Sequence, residues 1–346
     1  MKLRKKLVKA IAIAAIGIMS MNSFAAELPV LTLEQAVRSA QGADSLQQEA
    51  YRKGVLSNAQ VMQDTDDVDT STYQRSYYSK LDGEQSAKYR KDAVAYRATS
   101  LYNTITLLQK QVAFCDEKLA YQENEFKQTE LKYQKGLISK IEYETAQSKI
   151  EEQRTAKSKY QAQLDESKSS FKTLTNYDAN YYTFEEHYDV EFYHFIGNIE
   201  YSFSTTIDEM LQYQEKLAEV SNNYIFSDMM KRGDNTAMSY YSGKASAAQA
   251  KSQVESQKDS YLAQLNSQYK TMVTLEQDIK ELEVKLQDAE KNLVAQKLRY
   301  EKGLVSKVEI DKAEIGLKEQ QLSLIQLKVN YNSAKDAVKK PWVNFY

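Results

Sequence analysis

The chain has 346 residues, with 46 Lys or Arg, 48 Asp or Glu, 2 His, 1 Cys and 26 Tyr. Its slightly acidic balance excludes a nucleic-acid-binding protein, which needs a basic surface, and a single cysteine excludes an internal disulfide. Only 2 Pro and 10 Gly are present, a composition that predicts long, uninterrupted helices.

The first 25 residues have the order of a secretory signal peptide. Five basic residues between positions 2 and 9 precede an apolar run over 10–19, and Ser23-Phe24-Ala25 supplies small residues for cleavage. The run is shorter than the about 20 residues that span a bilayer. We therefore predict an exported protein that loses residues 1–25, which leaves 41 Lys and Arg against 48 Asp and Glu, a net charge of −7.

Residues 26–176 are predicted to form one short helix and one helical hairpin. Thr32 and Gln35 have the spacing of a capping box, which starts a helix that ends near residue 60. After a polar loop over 62–83, helices are predicted over 84–134 and 139–175. Apolar residues of the first of these alternate at steps of four and three, the spacing of a coiled-coil seam: Leu101, Ile105, Leu108, Val112, Cys115 and Leu119.

Residues 177–205 form an aromatic linker, whose partial alternation predicts short strands or a collar between two halves of the chain. Residues 206–346 then repeat the first half. A capping box at Thr206–Glu209 is predicted to start a helix that ends near Tyr224, and a loop over 227–243 precedes helices over 244–301 and 306–340. The seam continues through Met272, Leu275, Ile279, Leu282, Leu286, Ala289 and Leu293.

A duplicated motif links the two halves. Tyr133–Glu142 reads YQKGLISKIE and returns as YEKGLVSKVE at Tyr300–Glu309, and the same offset also places Tyr102 on Tyr269. Ser-Tyr-Tyr-Ser occurs at 76–79 and again at 239–242. Because an internal repeat fixes the architecture, the sequence predicts an all-α fold of two tandem, long, antiparallel coiled-coil hairpins with little or no β-structure.

Catalytic chemistry has no support in the sequence. His187 and His194 lie seven residues apart in the linker, and Cys115 lies on a helical seam, where we expect it to be buried. The acidic run Asp64–Asp69 lacks the glycine and glutamate of a calcium loop. No glycine-rich phosphate loop or nucleophile elbow is present. We therefore predict no catalytic, cofactor or metal site and no enzyme activity.

The duplicated Tyr-x-x-Gly-Leu-Ile/Val-Ser-x-x-Glu motif, set between heptad helices, resembles the signature of the outer-membrane efflux protein family, the TolC-like trimeric export ducts. The Leu31–Val37 segment, which follows the signal peptide, resembles that family as well. The resemblance implies a homotrimer that builds an elongated α-helical barrel in the cell envelope, at the outer membrane or in the periplasm. It also implies two partners, a periplasmic adaptor and an inner-membrane transporter. Residues 62–83 and 227–243 are too short and polar for that family's membrane strands, so we predict a short member that lacks the membrane β-barrel.

In that family the glycine turns are the periplasmic tips of the barrel, where adaptor and transporter dock. The resemblance assigns docking to two turns: Gly136, Leu137, Ile138 and Ser139, and Gly303, Leu304, Val305 and Ser306. It assigns gating of the entrance to four charged residues: Lys140, Glu142, Lys307 and Glu309. Each lysine is expected to pair with a glutamate of a neighbouring hairpin.

A second function is compatible with the same residues. A coiled-coil protein of the envelope that spaces or tethers layers, without any channel, also needs long heptad helices. The mass of the purified mature protein separates the two hypotheses, because a duct requires a trimer.

Overall fold

The structure is a computed structural model that describes residues 28–43, 70–232 and 237–345. Within these ranges the helices are α1 Leu33–Ala43, α2 Thr70–Gln134, α3 Lys140–Thr175, α4 Ile199–Arg232, α5 Ala237–Glu301 and α6 Lys307–Lys339. Two-residue strands, β1 Val30–Leu31 and β2 Thr183–Phe184, pair in parallel, and short 3-10 helices cover Ala179–Tyr181 and Pro341–Asn344. The predicted all-α fold with little β-structure is confirmed.

Several predicted features lie outside the described residues. They are the signal peptide over 1–25, the part of the first helix beyond residue 43, and the acidic run Asp64–Asp69. The capping box that starts the first helix is described and is confirmed. The Thr32 Oγ1 atom accepts a hydrogen bond from the Gln35 backbone N–H at 3.3 Å, and Gln35 Oε1 accepts one from the Thr32 N–H at 3.1 Å.

The helices are arranged in four columns that lie side by side. Helix α2 contacts α1 and α3 on one side and α4 and α6 on the other, and α5 contacts α4 and α6. The order across the protomer is therefore α1 with α3, then α2, then α4 with α6, then α5. Helices α3 and α5 lie at the two outer edges of this layer.

Two hydrophobic clusters hold the columns together at mid-height. One joins α4, α5 and α6 around Phe203, Ile207, Met272, Ile279 and Tyr331. The other joins β1, α2 and α3 and includes Leu31, Tyr102, Ile105, Leu108, Leu164 and Phe171. Full burial of side chains of this size stabilises a fold by about 1.5–3 kcal/mol each. The predicted seam is confirmed, because its members Ile105, Cys115, Met272 and Ile279 are all buried.

Residues 185–196 are irregular backbone that crosses the layer of helices at the height of the two hydrophobic clusters. We call this segment the collar. It begins at α2, where the Glu185 N–H donates to the Tyr102 hydroxyl at 2.7 Å. It then crosses α6, where the Tyr193 N–H donates to the Tyr331 hydroxyl at 2.8 Å. It ends at α5, where Phe195 packs edge-on against Tyr269. The predicted linker therefore bridges all the columns from α2 to α5.

The predicted start of the fourth helix is wrong. Helix α4 begins at Ile199, where the Asn198 side chain accepts a hydrogen bond from the Tyr201 N–H at 3.1 Å. Thr206 is not a cap, because its hydroxyl donates to the Ser202 carbonyl inside the helix. The physical reason is burial: Phe203 and Ile207 continue one buried stripe, and packing outweighs a local capping signal.

The predicted loops over 62–83 and 227–243 are also wrong where they are described. Helix α2 already begins at Thr70, α4 extends to Arg232 and α5 begins at Ala237. Local contacts support the extension, since the rings of Tyr73 and Tyr77, one turn apart, stack at 6.1 Å. A glycine within a helix costs only about 1 kcal/mol, so α2 continues through Gly83 without interruption.

Candidate functional site

The two predicted tip turns have the same backbone geometry. Gly136 and Gly303 adopt φ values of +69° and +70°, the left-handed conformation that favours glycine. At the first turn, the Gly136 N–H donates to the Tyr133 carbonyl at 2.9 Å and the Leu137 N–H to the Lys132 carbonyl at 2.9 Å. This pair of bonds is the Schellman motif, which satisfies carbonyls at a helix end. The bonds from Gly303 and Leu304 repeat it at 2.8 and 2.9 Å.

Each turn leads directly into a capping box that the sequence analysis did not assign. Ser139 caps α3: its hydroxyl accepts from the Glu142 N–H at 3.2 Å, and Glu142 accepts from the Ser139 N–H at 2.8 Å. Ser306 and Glu309 do the same for α6 at 3.4 and 2.7 Å. The spacing of serine and glutamate is the known signal for this cap, so the sequence could have revealed it.

The capping bonds hold both glutamates in their ionised form. The serine backbone N–H, followed by the serine hydroxyl, lowers the pKa of Glu142 and of Glu309 below the usual range. The bonds favour the charged carboxylate because an anion accepts hydrogen bonds more strongly than a neutral acid. The two glutamates assigned to gating therefore also stabilise the helix starts that follow the turns.

Apolar side chains form the crest of each turn. Leu137 is 70% exposed and Leu304 is 65% exposed, whereas Ile138 and Val305 are half-buried. Within one chain no layer covers the two leucines. Leu137 and Leu304 therefore occupy equivalent exposed positions in the two turns.

Both turns lie at the same end of the molecule. Two ion pairs join the hairpins, one between Lys118 of α2 and Glu319 of α6 at 3.0 Å and a reciprocal one between Lys318 and Glu117. Lys118 precedes the glycine of the first turn by nearly the same stretch of chain as Glu319 follows the glycine of the second. At about 1.5 Å per residue, both positions are about 25 Å from their turns, so the two crests point the same way.

Behind the crests, a groove of about 410 Å³ separates the two hairpins. Its walls are α2 and the first turns of α6, and its lining mixes opposite charges with apolar groups. Burial, with the neighbouring carboxylates of Glu125 and Asp311, raises the pKa of the Tyr121 hydroxyl. The sequence analysis missed this groove, which is lined by Ala120, Tyr121, Asn124, Glu125, Gln128, Lys307, Val308, Asp311, Glu314, Ile315 and Lys318.

Within one chain the charged residues near the turns pair locally. Lys140 lies 3.3 Å from Glu144 of its own helix, and Lys307 lines the groove. The predicted pairing of these lysines with glutamates of neighbouring hairpins remains a prediction.

The described ranges hold neither a candidate metal site nor a candidate membrane-spanning helix. Residues 28–43, 70–232 and 237–345 contain no group of three or more His, Cys, Asp or Glu side chains placed to hold a metal ion. In the same ranges no helix combines the length and apolar character needed to cross a bilayer. Cys115 is free and buried as expected, and burial raises the pKa of its thiol.

No protein-family model and no curated protein matches the chain. Solved structures do match it. A membrane protein from Pseudomonas aeruginosa aligns with a TM-score of 0.66 at 10% identity, over 94% of this chain and 96% of that one.

Two named channels show the same likeness. CusC, a protein that forms a transmembrane channel, aligns with a TM-score of 0.66 at 12% identity, over 94% of this chain and 95% of its own. The Campylobacter jejuni outer membrane channel CmeC aligns with a TM-score of 0.63 at 12% identity, over 96% and 94%. The resemblance to TolC-like channels is therefore confirmed at the level of the fold.

Proposed function

We propose that this protein is a non-enzymatic export duct component of the cell envelope. Copies of the chain form a homotrimer whose helical columns close into a barrel that conducts substrates across the envelope. The observation that carries the proposal is the pair of tip turns, which point the same way and expose equivalent leucines. The shared fold with outer-membrane channels supports it.

The tip turns are the proposed docking surface for a periplasmic adaptor and an inner-membrane transporter. Leu137 and Leu304 supply apolar contact area, and rigid turns lose little entropy when a partner binds. The groove between the hairpins extends this surface on the side of α2 and α6. Lys140, Glu142, Lys307 and Glu309 then provide a ring of alternating charge at the entrance, and such rings control passage through a constriction.

The test replaces the exposed leucines with a charge. Leu137→Asp combined with Leu304→Asp is expected to abolish export while helix content and trimer mass stay unchanged, because the side chains lie outside the buried seams. Met238→Asp is the matched control, since Met238 is also exposed but lies at the opposite end of α5. Export by the double variant at the wild-type level would refute docking at the tips, and unfolding would show that the leucines are core residues.

The spacer hypothesis is separated by mass and by the presence of a lumen. Native mass spectrometry of the mature chain is expected to give a trimer, and electron microscopy of that trimer is expected to show a continuous channel along its axis. A monomer or dimer, or a trimer without a channel, would support the structural tether in place of the duct.

A further inference from the structure

A cavity of about 500 Å³ lies where α2 and α3 of the first hairpin meet α6 of the second. We call it the inter-hairpin cavity. Cys115, on its wall, precedes Gly136 by 21 residues, so the cavity is about 30 Å from the tip turns at about 1.5 Å per residue. Among the described residues it shares no lining side chain with the groove behind the crests, so the two are separate spaces.

The walls of the inter-hairpin cavity are mainly aromatic and aliphatic. Phe114 of α2 and Tyr160 of α3 provide rings, and Leu322 and Leu327 of α6 provide branched aliphatic groups. Pockets of about 300–1,000 Å³ with such walls and a few polar groups are typical binding sites for small organic molecules. The volume and the walls therefore fit a small guest that carries aromatic rings.

The polar groups of the cavity are uncharged or paired. Each of the three helices contributes one glutamine, namely Gln111, Gln153 and Gln326, and an amide both donates and accepts hydrogen bonds without a net charge. Among the described residues of the lining, the charged ones are Lys118 and Glu319, which pair with each other at 3.0 Å. A charged guest would leave water without a free counter-charge, so the lining favours an uncharged one.

The duplicated architecture does not account for these walls. The repeat that places Tyr102 on Tyr269 also places Phe114 on Glu281 and Tyr160 on Leu327. Both rings therefore belong to the first hairpin alone, and the second hairpin forms the same fold without them.

We propose that the inter-hairpin cavity binds an uncharged aromatic molecule. The rings of this guest pack against Phe114 and Tyr160, and the glutamines bind its polar atoms. The guest contacts α2, α3 and α6 together, so its binding links the first hairpin to the second. This site is separate from the tip turns, and the inference goes beyond the proposed duct and does not depend on it.

The test is photolabelling of the full mature chain with benzophenone, an uncharged two-ring probe that attaches to nearby C–H groups under near-ultraviolet light. Peptide mass spectrometry is expected to find the adduct within residues 111–118, 153–160 or 319–327, which carry the lining. An adduct found mainly elsewhere, such as at the exposed Leu137 or Leu304, would overturn the proposed site.

A variant that fills the cavity tests the same site by loss of binding. Ala156 lies on the wall, and Ala156→Trp is expected to reduce labelling at least tenfold because the indole occupies the space of the guest. Ala162→Trp is the matched control, since Ala162 is exposed on the same helix, and it is expected to label like the unmodified chain. Equal labelling of the two variants would overturn the proposal.

The charge preference is tested on the unmodified chain, so its result does not depend on the folding of a variant. The probe 4-benzoylbenzoate has the rings of benzophenone and one carboxylate. It is expected to label residues 111–118, 153–160 and 319–327 at least tenfold less than benzophenone does, because the paired Lys118 and Glu319 leave the lining without a free positive charge. Equal labelling by both probes would overturn the assignment of an uncharged guest.

Discussion

The hydroxyl of Tyr102 fastens the collar to the first hairpin, and Tyr102→Phe measures its contribution. The ring is fully buried, and its hydroxyl donates to the Leu31 carbonyl at 2.6 Å and accepts from the Glu185 N–H at 2.7 Å. Phenylalanine keeps the packing with Phe171 and Phe184 but removes both bonds. A buried polar group left without a partner costs about 1–3 kcal/mol.

The expected loss is about 2 kcal/mol of unfolding free energy. Leu31 is buried, so its carbonyl is left without a hydrogen-bond partner in the variant. Glu185 is exposed, so its backbone N–H can bind water instead. The assay is denaturant unfolding followed by circular dichroism. Tyr331→Phe, which removes only the bond from the Tyr193 N–H, is the matched control and is expected to cost about half as much. A loss for Tyr102→Phe below about 0.5 kcal/mol, the range of a neutral surface substitution, would refute the reasoning.

The same hydroxyl gives a pH dependence with a definite sign. Burial raises the pKa of Tyr102 to about 12, above the value of about 10 for a free phenol. The folded state therefore holds this proton more tightly than the unfolded chain. Its contribution to stability is complete below pH 10 and is lost as the pH rises towards 12. Tyr102→Phe is expected to reduce that alkaline loss, and an unchanged pH profile would contradict the assignment.

Two further predictions concern the turns and the chain end. Replacing Gly136 or Gly303 with Ala is expected to cost about 1 kcal/mol each through backbone strain alone, because no atom lies within 4 Å of the added Cβ; an unchanged thermal midpoint would contradict the left-handed geometry. Trp342→Phe is expected to cost about 1 kcal/mol, since it removes the 2.9 Å hydrogen bond to Asp92 while keeping a ring to stack on Tyr89. Denaturant unfolding measures this loss. An unchanged free energy of unfolding would show that the hydrogen bond of Trp342 to Asp92 does not stabilise the packing of the C-terminal segment on α2.

Helix boundaries near the tips could be read from the residues themselves. The predicted ends at residues 134 and 301 are those of α2 and α5. The signal is local: a glycine that tolerates positive φ ends one helix, and a serine three residues before a glutamate starts the next. The boundaries at the opposite end were not predictable in this way. The polar composition of these segments predicted loops. Helices α2 and α5 instead extend into them, because helix propagation and packing against neighbouring columns outweigh local composition.

The candidate site was predicted only in part. All eight predicted turn residues lie in the two glycine turns, and their docking role remains a prediction. The groove beside them was missed because Tyr121 and Asp311 belong to different halves of the chain and meet only through the packing of α2 on α6. Glu142 was predicted only as a gating residue, but its hydrogen bonds with Ser139 also cap the start of α3.

Elements that depend on neighbours within a few residues could be predicted from the amino-acid sequence alone. These are the heptad seams, the turns at Gly136 and Gly303, and the duplication that makes them equivalent. The pairing of helices into columns and the path of the collar across them could be seen only in the folded protein. Those choices depend on contacts between distant residues, such as Tyr331 with Tyr193 and Lys118 with Glu319. A periodic seam specifies that a helix needs a partner, and the packing of particular side chains selects which one.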